Sequence, residues 1–178
     1  MGVPNLDDLF AQNGPLISLS WSVDAMVDAI DRVNKVEAGE PDKAFAAIGE
    51  AVWWTTVVND TLHQRHEAAY ELAMSLTTPP IEDAITGLRS VRHRIGHEVD
   101  FFDLVEPAAS RPDPGDGRVT AWCWKHIRPP TRRRQVDIQQ HHAYEDALAG
   151  RNVVEGFTAA SLFLRTANEN AKGGYQKP

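Results

Sequence analysis

Apolar residues recur at helical spacing along most of this chain, and that period constrains its fold more than any other feature. Leu19, Val23, Met26, Ile30 and Val33 fall at i, i+4, i+7, i+11 and i+14, which places them along one side of an α-helix. Asp24, Asp28, Asp31 and Arg32 take the wetter side, and Gly39 followed by Pro41 ends the segment. Asp42 then reads as the N-cap of a second helix. Phe45, Ile48, Val52, Thr55 and Leu62 keep its period to about Leu76, with Trp53 and Trp54 adding bulk to the interior and Asn59-Asp60 offering a place to kink or divide. Pro79-Pro80 starts a third helix, because proline fits a first turn but not a helix interior. Its stripe is Ile81, Ile85, Leu88, Arg92 and Ile95.

A short apolar segment, Val99 to Val105, and a Pro/Gly-rich loop over 106–118 follow. Val119 to Ile127 alternates enough for a short extended piece, with Trp122 and Trp124 on one face. A further helix is expected over 132–148, ending at Gly150, and a last one carries Val153, Phe157, Ala160, Leu164 and Ala167. No internal repeat or composition shift marks a second domain, and 178 residues suit one core. The expectation is an all-α bundle of about five to six helices with an extended insertion near residues 119–127. An N-terminal arm (1–18) precedes the bundle domain (19–168), and a flexible C-terminal tail (169–178) follows it.

Composition narrows the setting. No apolar run is long enough to cross a membrane, and the start lacks the basic and apolar regions of a signal peptide. The single cysteine, Cys123, leaves no internal disulfide to form and suits a reducing compartment, so the cytoplasm is the expected location. The net charge of −7 is uneven. Residues 1–86 hold 14 acids and 4 bases, net −10, and residues 87–178 hold 11 acids and 14 bases, net +3. That balance argues against broad, non-specific coating of nucleic acid but allows a local anion site in the second half.

Chemistry concentrates in Arg92-His93-Arg94-Ile95-Gly96-His97. Arg92 stands at an apolar position of its helix, where a charge needs a partner. Either it snorkels to an acid of the first helices, such as Asp28 or Glu50, or it points into a polar pocket. Residues five apart on a straight helix differ by about 140° in direction, so Arg92 and His97 converge only if the backbone turns at Gly96 or a second copy brings its own pair alongside.

An arginine, a polar residue, three more residues and a histidine, late in a helical bundle, resemble the motif of the HEPN superfamily. The position after the arginine, usually asparagine or another polar residue in that family, is His93 here. The resemblance implies a compact, often dimeric bundle and a metal-independent RNase, or an RNA-binding effector, of the toxin or defence type. It implies His97 in acid–base work and Arg92 gripping phosphate, with His93 and Arg94 secondary and no cofactor. The chemistry is sound: imidazole titrates near neutral pH, and a guanidinium fork holds the charge that builds on phosphorus oxygens. The partners it implies are a second copy of the chain, RNA, and an antitoxin or other protein.

Other clusters have plainer readings. His93 and His97 are four apart and could chelate zinc, but a third ligand is missing and His-Glu-x-x-His fails at Phe101. His63, His66 and Glu67 read as solvated helix surface, as do His141 and His142. Lys125, Arg128, Arg132, Arg133 and Arg134 form a basic run that either contacts RNA phosphates or offsets the acidic half. The rival to the RNase is a non-catalytic helical module that binds a protein partner.

Overall fold

The computed structural model describes residues 6–37, 40–77, 80–95, 122–130 and 134–174, with side chains from Ser18 onward. Six helices occupy these residues: α1 (Leu6–Lys35), α2 (Pro41–Arg65), α3 (Glu67–Ser75), α4 (Pro80–Ile95), α5 (Gln135–Ala147) and α6 (Val153–Gly174). The fold is therefore an all-α helical bundle, and no strand occurs among the described residues. Helix α2 packs between α1 and α4, α6 lies against α1 and α3, and α4 leans on α5.

The core follows the helical period closely. Leu19, Val23, Met26, Ile30 and Val33 of α1 are all buried, as are Ile48, Val52 and Leu62 of α2 and Val153, Phe157, Ala160, Leu164 and Ala167 of α6. Alanines 29, 44, 47, 51, 73 and 84 fill the contacts between helices. Small side chains at such positions let helix axes approach without voids. Gly87 is the extreme case: a Cβ there would sit 2.9 Å from Leu148 Cδ1 and 3.0 Å from Tyr144 Cα, so α4 approaches α5 almost backbone to backbone.

Several boundaries differ from the sequence reading. Helix α1 starts at Leu6, within the segment expected to be an arm, and runs through Gly14-Pro15. A proline inside a helix removes one backbone hydrogen bond but leaves the turns on either side able to form. Helix α2 opens with Pro41 at its first position and Glu40 as N-cap, so Asp42 falls in the first turn. The division of the second helical segment comes at His66 (φ −136°, ψ 43°) and not at Asn59-Asp60. Asn59 is instead buried, accepting the Tyr70 hydroxyl at 3.0 Å across the α2–α3 junction. Helix α6 continues to Gly174 through buried Ala171, well into the stretch expected as a loose tail.

The extended insertion is visible from Trp122 to Pro130. It pairs with the α5–α6 turn at one antiparallel bridge, Cys123 with Asn152. Trp124 N–H donates to Arg151 O (2.9 Å), Gly150 N–H to Trp124 O (2.7 Å) and Val153 N–H to Trp122 O (2.8 Å). Gly150 takes φ +74°, a left-handed turn that a Cβ would strain. The apolar segment 99–105 and the loop 106–118 lie outside the described residues.

Candidate functional site

Val91, not Arg92, continues the buried stripe of α4 after Ile81, Ala84, Ile85 and Leu88. Arg92 therefore sits at the edge of that stripe and faces α2. Arg89 lies one turn earlier on the same side, since residues three apart on a helix are neighbours. Both reach Asp60 of α2: Arg89 Nη2 donates to Oδ1 at 2.5 Å, and Arg92 Nη1 to Oδ2 at 3.3 Å. The acid that partners Arg92 is thus neither Asp28 nor Glu50; Glu50 pairs with Arg32 at 2.6 Å. One carboxylate shared by two guanidinium groups leaves about one positive charge in the cluster. With roughly a third of its side chain in water, Arg92 is not sealed inside this contact.

Trp53 supplies the other face. The Arg92 guanidinium carbon lies 4.5 Å from the centre of its ring, a cation–π contact worth about 0.5–1 kcal/mol at a solvated site. Trp53 is 52% exposed, which corrects the expectation that it fills the interior; Trp54 packs against the core in that role. Together these residues border an open groove of about 680 Å³, also lined by Gly49, Val52, Gln64, His93, Ile95 and Gln140.

Along the last turn of α4 the candidates diverge. His93 is exposed and lines the groove beside Arg92. Arg94 points elsewhere, donating from Nη1 to Arg128 O at 3.1 Å. Gly96 and His97 lie outside the described residues, as do Arg132 and Arg133 of the basic run. The rest of that run is dispersed. Arg134 precedes α5 and is bidentate to Asp137 (2.8 and 3.0 Å), Arg128 is exposed, and the carbonyl of Lys125 accepts the Tyr144 hydroxyl at 2.5 Å. Trp124, in the later of the chain's two tryptophan pairs, is 2% exposed and packed against Tyr144 and Phe157.

Two histidines read as solvated are not. His66 is buried at the α2–α3 break, and burial, with Arg65 nearby, pushes its pKa down. His141 is buried on α5, again with its pKa lowered by burial, while His63 and His142 remain exposed. Burial raises the Cys123 thiol pKa, which keeps it a poor nucleophile. Among the described residues no three His, Cys, Asp or Glu are grouped to hold a metal, and no helix is long and apolar enough to cross a membrane.

Arg89 and Asp60 were missed in the sequence. Arg89 was legible as the i−3 neighbour of Arg92, but nothing local links either arginine to an acid about thirty residues earlier. Comparison with known protein families, curated proteins and solved structures finds no match to this chain.

Proposed function

We propose that the chain is a HEPN-like, metal-independent endoribonuclease or RNA-binding effector, acting in the cytoplasm on an RNA phosphodiester. The observation that carries this reading is the cluster at the end of α4. Arg89 and Arg92 outweigh Asp60 by one charge at the edge of an open groove, and the chain reaches His97 two residues past the last residue of that helix. Asp60 fixes the forks in place before any ligand arrives, so little reorganisation is needed when charge builds on a phosphoryl oxygen. In this reading the RNA 2′-hydroxyl attacks its own phosphorus, His97 moves the proton and Arg92 holds the non-bridging oxygens. A homodimer would supply a second histidine for the departing oxygen, and an antitoxin or other protein would restrain the site.

The test is digestion of RNA by the purified chain in EDTA. Arg92→Ala should slow cleavage about a hundredfold, and His97→Ala about a hundredfold or more. RNA left intact by the wild type, with no change on His97→Ala, ends the enzyme reading. Light scattering at micromolar concentration should show a dimer; monomers alone would remove the paired-site version.

A second reading rests on another surface. Leu76 and Leu162 are largely exposed on a groove of about 490 Å³ between α3, the start of α4 and α6, with Ile81, Ala84 and Phe163 behind them. An apolar groove of this kind suits a non-catalytic module that binds a protein helix. Leu162→Asp would abolish such binding and leave RNA cleavage unchanged.

A further inference from the structure

Trp53 stands on the outward side of α2, beside buried Val52 and one turn before buried Thr56. An indole left half in water adds little to a core, and helix surfaces are normally filled with polar residues. Its described contact is with Arg92, whose guanidinium lies over its ring. Among the described residues only Nη1 of Arg92 is engaged by an acid. Gln64 and Gln140 line the same groove. Each offers a donor and an acceptor on one planar amide. A bare phosphate has use for the two arginines and for amide N–H donors, but none for an indole face or for the amide carbonyls.

We propose that the Trp53–Arg92 stack is a subsite for an unpaired nucleobase. The adjoining phosphate lies on Arg89 and Arg92, and the base edge turns toward Gln64 and Gln140. The subsite rests on the phosphodiester reading above and adds what the charges cannot supply. On a chain of net charge −7, with the strongly acidic half contributing α2, long-range attraction for a polyanion is weak. Stacking is insensitive to that field and takes any base, because every base has a π face. The groove, at about 680 Å³, falls in the range of small-molecule sites.

The experiment uses the full chain and a labelled single-stranded hexanucleotide with 2′-O-methyl riboses, which cannot be cut through the 2′-oxygen. Trp53→Ala should weaken binding about tenfold, and Trp53→Phe should restore most of it, since a ring face returns. A sugar-phosphate hexamer of equal charge but without bases should bind the wild type as weakly as the normal oligomer binds Trp53→Ala, and should not respond to that substitution. Equal affinity of the abasic hexamer, or of a hexaglutamate peptide, overturns the subsite, as does Trp53→Ala binding like the wild type. Trp53-dependent binding with ordinary RNA left uncut supports the subsite and defeats only cleavage. Cleavage of ordinary RNA with wild-type KM by Trp53→Ala defeats only the subsite. No binding by the wild type defeats both.

Discussion

Asp60 and Glu145 each bind two groups of one other segment through a single carboxylate. Asp60 takes two guanidinium groups from α4, remains about a third exposed, and borders a groove. Glu145 takes the Ile127 N–H at 2.8 Å and His126 Nδ1 at 2.7 Å, and so clips the extended segment onto α5. The segment that Glu145 holds is packed on its inner side, with Trp124 buried against Tyr144 and Phe157 and the Tyr144 hydroxyl donating to Lys125 O, while His126 stays exposed. Around Asp60 the space stays open, with an exposed indole and surplus positive charge. The difference lies in the donors. A backbone N–H brings no net charge and a fixed position, so the Glu145 contact is structural. Two arginines bring more charge than one acid offsets, and the excess is directed at solvent.

Substitutions should separate the two regions, the largest effect first. Trp124→Ala should destabilise the chain by about 3–5 kcal/mol, read from denaturant unfolding. A loss below about 1 kcal/mol would mean that the insertion is not held by its core contact. Gly87→Val presses a branched side chain into Leu148 and the Tyr144 backbone and should cost about 1–3 kcal/mol. Because Gly87 faces α5, the loss should occur without disturbing Asp60. If RNA cleavage collapses while the protein remains folded, the two regions are coupled through α4.

Glu145→Ala strips the partly buried Ile127 N–H of its acceptor and should cost about 1–2 kcal/mol. It should also change the acid response. Burial pushes the Glu145 carboxyl up, but the Ile127 N–H and His126 together bring its pKa below the usual 4.5. Its stabilisation is therefore present above the ordinary carboxylate range and is lost as pH falls through its lower folded value. His141 acts at milder acidity. Burial lowers its pKa, so the fold keeps the ring neutral, and stability declines as pH drops below about 6.5, where the unfolded chain takes up the proton first. Thermal melts between pH 7.5 and 5 should fall less steeply for His141→Gln, with His66 accounting for part of the remaining slope.

Asp60→Asn should have the smallest effect on stability, under about 1 kcal/mol, because its ion pairs are solvated. On the proposed RNase reading its effect belongs in binding: surplus charge rises while the arginines lose their anchor, so RNA affinity should become more salt-dependent as cleavage falls. An unfolding cost as large as that of Glu145→Ala would show that both carboxylates are structural clips.

The helices were legible in the sequence wherever one face carries aliphatic residues at regular spacing, as with Leu19 to Val33 and Val153 to Ala167. Burial of an amphipathic stripe decides such segments locally. Helix ends were less legible. Gly14-Pro15 lies in the segment expected to be an arm, yet α1 passes through it, and Asn59-Asp60 reads as a kink although Asn59 is a buried hydrogen-bond acceptor. The site was only half legible. Arg92 was marked by its place within an apolar stripe, but the one-residue difference between Val91 and Arg92 decided which side chain enters the core.

The order and character of the helices follow from the sequence alone, because a period of 3.6 residues and proline or glycine stops are properties of the chain's own neighbours. Two things were left to the tertiary structure: which acid meets Arg92, and whether Trp53 or Trp124 faces water. Both depend on how α2, α4 and α5 are set against one another. That setting depends on close approaches such as Gly87 against Leu148, which join residues far apart in the chain and leave no local trace.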